Sequence, residues 1–355
     1  MRTVVWTIAT LALLGLLAGG AVVSFGLYNI AARAGHWPIT AWVLHTTYRR
    51  AVDLRAPAPG TAPPLTEEMA RLGVRHFDGA CRMCHAAPGQ ARTWTIRSME
   101  PEPPPIAEAV GDWSPEELHW IIYNGVKMSG MPHWPSVRED DVWAVVAFLT
   151  RVQEMDAETY ADWAADPPVP PGAPTGLAYC AGCHGLDGRS GNARIPRLDL
   201  QSEAYLAQAL QSFREGRRES GIMAQAASAV PAESLPALAA WFASVPPAPE
   251  AAQVDEDLAA RGEELAWAAT QDPEVPACSG CHGPEESEVR RGPGPALAGQ
   301  HESYLAEQLR LWRDGLRGGG PAAELMAKAA QHLDETDIAA LAAYYAGLEP
   351  EAERR

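Results

Sequence analysis

Apolar positions crowd the start of the chain and then settle into helical spacing. From Val4 to Ile30 the sequence is apolar enough to cross a bilayer, and residues 3–32 carry no charged side chain. The hydrocarbon core of a membrane takes about 20 such residues, and Trp6 and Tyr28 stand where interfacial aromatics belong. The run predicts an uncleaved transmembrane helix in residues 1–32. A cleaved signal peptide, with Ala18 and Gly20 preceding the cut, is the other reading, but the apolar run outlasts the roughly 7–15 residues of a signal core. Residues 33–65 form a juxtamembrane segment and Pro-rich linker. Within them, His36 to Arg50 is amphipathic and Trp-bearing, either a short interfacial helix or a stalk packed on the first domain.

Beyond residue 65 the pattern is helical. Ser114-Pro115-Glu116-Glu117 supplies an N-cap, a proline at the first helical position and a capping glutamate. Leu118, Ile121 and Ile122 then share a face, and Gly125 stops the helix. A second helix is predicted from Asp140 to Val152 with Val142, Val145, Val146 and Leu149 inward. No segment sustains a period of two between hairpin turns, so strands should be few and the fold class all-α. Pro-rich breaks at 56–64, 166–174 and 246–250 act as semi-rigid spacers and delimit three units, 66–165, 172–246 and 254–349. The second and third are repeats: Ser202–Arg218 lies over His301–Arg317, matching Tyr205 to Tyr304 and Arg214 to Arg313, and LAAWFA (238–243) lies over LAAYYA (341–346). The third carries an insertion, Ala268–Ala277, and a longer loop before Met326.

A chain of 355 residues has room for two or three domains, and 47 % hydrophobic residues argue against wholesale disorder. With 28 basic against 45 acidic residues the net charge is −17, which excludes a nucleic-acid-wrapping surface and favours partners with a basic face. The six cysteines decide the chemistry. They fall as Cys81 and Cys84, Cys180 and Cys183, Cys278 and Cys281, each pair followed at once by a histidine, His85, His184 and His282.

C-x-x-C-H is the attachment pattern of c-type haem. Two thiols one helical turn apart add to the vinyl groups, and the adjacent histidine reaches the iron. Zinc needs four protein ligands, and the second unit has no histidine besides His184; a redox dithiol needs no trailing histidine. Three covalent haem c groups are therefore expected, with those three histidines as proximal ligands. The distal ligand is Met or His. Met223 is the one methionine of the second unit; Met326 is that of the third, with His301 and His332 as rivals. In the first unit Met83, Met99, Met128, Met131 and Met155 are all available; Met83 lies inside the C-x-x-C loop and points away, and Met131, before Pro132, is chosen with Met128 as runner-up. His/Met ligation fills both axial positions, which suits electron transfer rather than catalysis. Pro-containing loops, at Pro196 in the second unit and Pro293 or Pro295 in the third, offer carbonyls to the free imidazole nitrogen. Trp94, Trp113, Trp120, Trp143, Trp241, Trp267 and Trp312 are expected to pack in cores or against haem. Positive-inside counting, with Arg33, Arg49 and Arg50 after the span, puts the bulk of the chain in the cytoplasm. Covalent haem attachment occurs outside the bacterial cytoplasmic membrane, and that outranks the charge bias.

On these motifs the chain resembles the cytochrome c family over most of 66–349. CAGCHG (180–185), CSGCHG (278–283), PALAGQ (295–300) and the Tyr304–Leu309 helix are similar to the two halves of tandem-domain dihaem cytochromes c. CRMCH (81–85) and NGVKMSGMPHW (124–134) resemble a class I domain of membrane-anchored respiratory proteins, a family in which the last methionine of that loop, here Met131, binds iron. The resemblance implies a transmembrane helix followed by three tandem cytochrome c domains, held on the periplasmic side of the bacterial inner membrane. It implies electron transfer in a respiratory chain between a membrane donor and an oxidase or reductase. The alternatives are the cytochrome subunit of a membrane-bound alcohol, aldehyde or sugar-acid dehydrogenase, and a haem enzyme such as a peroxidase.

Overall fold

The computed structural model describes residues 1–248, 252–268, 277–282, 294–319 and 323–350. Helix α1 (Arg2–Phe25) has no buried residue and ends at Gly26, whose φ of 61° closes it in the left-handed conformation. Its 24 residues span about 36 Å at 1.5 Å per residue, enough to cross a bilayer. Helix α2 (Pro38–Arg55) divides in two. Its first half exposes Ile39, Trp42 and Val43. Its second half docks on the first unit: Val52 is fully buried, Tyr48 meets Trp113 edge-on at 5.5 Å, and Arg49 lies over the same ring and pairs with Asp112 at 3.3 Å. The second half thus packs as a stalk on the first unit, while the first half leaves an apolar face exposed.

In the first unit α3 (Glu67–Ala80) starts at Thr66, whose hydroxyl accepts the Met69 N–H. It crosses α5 (Val142–Leu149) at Gly73, where any Cβ would strike the Ala144 carbonyl. Between them α4 (Pro115–Asn124) carries the full capping box of Ser114 and Glu117 and ends at Gly125. Helix α5 is shorter than the predicted 140–152 because its flanks wind into turns, but Val142, Val145, Val146 and Leu149 all point inward. Phe77, Phe148 and Tyr160, the last on α6 (Ala157–Ala164), close the core.

The second unit comprises α7 (Leu177–His184), α8 (Glu203–Arg214), α9 (Gly221–Ala229) and α10 (Leu235–Ser244). The third comprises α11 (Glu256–Trp267), α12 (Cys278–His282), α13 (Glu302–Arg313), α14 (Ala323–Ala330) and α15 (Glu335–Gly347). Helix α11 crosses α15 at Gly262, against the Ala340 carbonyl, as α3 crosses α5 in the first unit. The second unit has no such leading helix; a proline-rich segment runs directly into α7, three residues before Cys180. Most of the Ala268–Ala277 insertion, Pro293 and part of the loop before Met326 lie outside the described residues. Among the described residues there is no strand, only an isolated antiparallel bridge between Arg218 and Gly318.

That bridge lies in a joint with approximate two-fold symmetry between the second and third units. Gln201 donates to the Ala296 carbonyl and accepts its N–H, both at 2.9 Å. Gln300 reciprocates, accepting the Arg197 N–H at 2.9 Å and donating to its carbonyl at 3.0 Å. All four groups are buried, so each bond is formed where an unmade one would be costly. The first unit grips the second as well: Ser136 donates to Glu219 at 2.8 Å, Ser220 donates to Asp141 at 2.8 Å, and Asn192 donates to the Glu68 carbonyl at 2.8 Å.

Candidate functional site

A cavity of about 1460 Å³ runs through the second and third units. Cys180, Cys183, His184 and Met223 line one part of it, Cys278, Cys281, His282 and Met326 another. Short helices present the motif residues: α7 brings Cys180, Cys183 and His184 onto successive turns, and α12 does the same for the third motif. The methionines arrive on separate helices. Ser220 caps α9 by accepting the Met223 N–H at 3.2 Å, and α14 carries Met326. In the third unit the side chains meet, His282 Nε2 lying 3.4 Å from Met326 Sδ. His301 instead points its Nε2 at the Ser190 carbonyl, 3.2 Å away, and His332 is exposed.

The first motif stands apart from the other two, as its separate domain type leads one to expect. Cys81 ends α3, and a single turn, Arg82–His85, carries Cys84 and His85. The Cys84 N–H donates to the Cys81 carbonyl at 3.1 Å, and both cysteines are half-buried. The turn therefore holds the two sulfurs and the histidine together locally. However, Cys81, Cys84, His85 and Met131 do not line the cavity that collects the other two motifs. The reason is the facing of α3. Its Met69, Leu72, Arg75 and His76 reach that cavity, whereas Cys81 packs against the first unit's own core and Arg82 and Met83 are exposed. Cys84 and its neighbours thus form a site apart.

The histidines are oriented from behind. His85 Nδ1 lies 2.9 Å from the Pro104 carbonyl and His184 Nδ1 lies 3.3 Å from that of Pro196. A carbonyl can only accept, so Nδ1 carries the proton and Nε2 keeps a lone pair for a metal. Burial pushes the His184 imidazole down to about 4, which holds it neutral as a ligand must be. Burial also pushes the Cys81 thiol up to about 12 and that of Cys180 to about 11. Neither is poised as the thiolate of a redox dithiol. Among the described residues no three His, Cys, Asp or Glu side chains are grouped as a metal site.

Two buried cations test whether haem fits. Arg218 and Arg317, both 8 % exposed, face the cavity from the joint between the units. Arg218 donates to Tyr304 at 3.0 Å and Tyr205 at 3.3 Å, and Arg317 donates to Gln308 at 2.7 Å. Among the described residues neither has a carboxylate within ion-pair distance, and burial together with the charge of Arg218 pushes the Arg317 guanidinium down. Unpaired buried charge is strongly unfavourable. The carboxylates of a haem in this cavity would give these two cations anionic partners, so the residues fit the group. These arginines, and the Gln201/Gln300 clasp, escaped the sequence reading. The repeat alignment paired Arg218 with Arg317 and Tyr205 with Tyr304, and that shared spacing was the available signal.

In the first unit Met131 is half-buried in a loop that folds back on α4: its carbonyl accepts the Val126 N–H at 3.2 Å, and a Cβ on Gly125 would meet the His133 nitrogen at 2.6 Å. Met128 has a φ of 60° and is 83 % exposed, and Met83 is 75 % exposed. Two of the tryptophans expected to pack lie outside the protein cores. Trp94 is 80 % and Trp267 is 56 % exposed. Trp94 opens a single-turn helix whose outer face it shares with Arg97, stacked 4.5 Å above it; Trp267 ends α11 and donates to the Tyr344 hydroxyl.

The family description "Cytochrome c" matches residues 177–239 and 259–349, and "Cytochrome C oxidase, cbb3-type, subunit III" matches 68–149. Cytochrome c4 of Pseudomonas aeruginosa is 34 % identical over 171 residues, 48 % of this chain and 84 % of that protein. The chain belongs to the cytochrome c family. One C-x-x-C-H motif falls in each matched segment, so this is an all-helical c-type cytochrome carrying three covalent haem c groups, and its role is electron transfer. A thiosulfate dehydrogenase electron acceptor of Stutzerimonas stutzeri is 32 % identical to it over 222 residues, 61 % of this chain and 95 % of that protein. The solved reduced cytochrome c4 of Pseudomonas stutzeri superposes with a TM-score of 0.44 at 33 % identity, covering 49 % of this cytochrome and 95 % of that chain.

Proposed function

We propose that this cytochrome carries electrons along a respiratory chain, held by α1 at the bacterial inner membrane with its haem domains in the periplasm. Its haems would be held through Cys81 and Cys84, Cys180 and Cys183, and Cys278 and Cys281, with His85 and Met131, His184 and Met223, and His282 and Met326 as the iron ligands. The observation that carries this reading is the approach of His282 Nε2 and Met326 Sδ to 3.4 Å inside the cavity. A histidine and a thioether brought together in this way would both be available as ligands to a haem iron, leaving no open position for a substrate. Each haem supplies a one-electron couple, and His/Met ligation sets it at the high end of the range. The chain's own groups do the rest: the Pro104 and Pro196 carbonyls fix the imidazole tautomers, and Arg218 and Arg317 neutralise buried carboxylates. Exposure along the whole of α1 and the apolar first half of α2 support the anchor. The charge of −17 suits a redox partner with a basic docking face.

Solubilising the membranes, purifying the protein with its bound partners and counting haems tests all of this together. Three haems per chain that resist cyanide and carbon monoxide, in a membrane-retained protein, are expected. Two haems, or ready binding of carbon monoxide, refute the ligand assignment. A second reading, service as the electron acceptor of a dehydrogenase, is favoured by the match covering 95 % of the thiosulfate dehydrogenase electron acceptor. Co-purification with a dehydrogenase rather than an oxidase decides for it.

A further inference from the structure

The second unit is the one without a helix of its own leading into its motif, and the first unit stands in the gap. Arg75, on α3, lays its guanidinium against Gly182, between the two motif cysteines, so closely that any Cβ there would collide with it. Its charge opposes the rise that burial imposes on the neighbouring Cys183 thiol, and the guanidinium is anchored by the Ala164 carbonyl and the Asp166 carboxylate. Its side chain is 9 % exposed against 48 % for Asp166, so the positive charge is the buried member of the pair. Gly280 holds the same place in the third motif; the glycine permits the approach, and Arg75 supplies it. The two cysteine-bearing segments abut nearby, where the Tyr179 hydroxyl lies 2.6 Å from the position of a Cβ on Gly79. On the methionine side the first unit intervenes again. Asp141 accepts from the Ser220 hydroxyl, whose oxygen caps the helix of Met223. Met69, Leu72, Arg75 and His76 of α3 line the cavity.

We propose that the second haem site is built jointly by two units, with Arg75 of the first as a positioning residue whose buried charge raises that haem's reduction potential and Asp166 as its counter-charge. A fixed cation beside the group favours the state with one more electron, and removing the cation favours the oxidised state. This inference rests on the haem assignment of Cys180, Cys183 and His184.

The test is an equilibrium redox titration of the full-length, three-haem protein, resolved into three one-electron components. Arg75→Gln is expected to shift one component about tenfold toward the oxidised form, which is 59 mV for one electron. Arg75→Lys restores most of it, and Asp166→Asn moves the same component the other way. A purely structural clasp predicts altered melting with no such opposite-signed pair. The component is identified as the one that Met223→His displaces. If Met223→His displaces none, the Met223 ligand assignment fails, and the Arg75 shift is then judged by falling outside the components that Met131→His and Met326→His displace. Unmoved components in Arg75→Gln and Asp166→Asn at full haem content overturn the proposal, as does a shift landing on the first or third haem. Should Arg75→Gln lose haem, Arg75→Lys and Asp166→Asn decide alone.

Discussion

Replacing His76 by glutamine isolates the acid sensitivity of the junction between the first two units. His76 is 7 % exposed on α3, its ring 4.7 Å from that of Trp134, which in turn packs on Gly221 at the start of α9. Burial pushes its imidazole from 6.5 down to about 4. Between those values the unfolded chain binds a proton that the folded chain refuses, so stability falls as the pH drops through 6.5 and the loss is complete near pH 4. The full penalty is about 3 kcal/mol, of which about 2 kcal/mol is already incurred at pH 5 and almost none at pH 7. With a transition temperature that moves roughly 2–4 °C per kcal/mol for a body of this size, the wild type should lose about 4–8 °C more than His76→Gln between pH 7 and pH 5. Melts followed by tryptophan fluorescence at constant ionic strength read this difference, and other titrating groups cancel in the comparison. Parallel melting curves for the two proteins across that pH range would refute the reasoning.

Alanine at Gly73 or Gly262 drives a methyl group into the carbonyl of Ala144 or Ala340; each should cost about 1–3 kcal/mol or more by overpacking, read as a lowered denaturant midpoint with haem content retained until unfolding. Gln201→Leu strands the Ala296 N–H and carbonyl in the joint; a loss of about 1–3 kcal/mol is expected, and the Gln201→Leu/Gln300→Leu double variant should fall short of the sum because both act on one interface. Met131→His should lower the potential of one haem, while Met128→His, at an exposed position, should leave all three unchanged; the reverse result in a redox titration exchanges the two assignments. Association with a basic redox partner should weaken steadily as ionic strength rises, because the charge of −17 acts through steering; a salt-independent rate in stopped flow contradicts that.

Local signals in the sequence carried most of the fold. Ser114, Pro115 and Glu117 wrote the start of α4, and Gly125 its end, because capping is settled within a few residues. The tandem repeat was legible because duplicated helices keep their spacing. What was not legible was everything that passes between units. Nothing near Arg75 in the sequence points to Gly182, over a hundred residues away, and the Gln201/Gln300 clasp reads backbone atoms, which leave no residue-type signature on the facing segment. The exposure of Trp94 likewise depends on how one short turn is rotated, a tertiary matter that composition does not encode. For the site, cysteines and histidines declared themselves by spacing. Spacing made the three motifs look alike, though, and could not show that Cys84 stands outside the cavity shared by Cys183 and Cys281, because that follows from which face α3 turns toward its neighbours. The buried arginines became meaningful only when the structure showed them facing one cavity with no acidic partner among the described residues.

The glutamine clasp has an evolutionary consequence. Its bonds on the far side end on the amide and carbonyl of Arg197 in one direction and of Ala296 in the other. Two residues so unlike serve equally because only their main chains are consulted. Once the ancestral domain had been copied, mutation could therefore change the side chains at the positions the glutamines read without losing these four bonds, whereas the Arg197 guanidinium, which donates to the Gly299 carbonyl at 3.0 Å, ties its own copy to the seam by side chain as well.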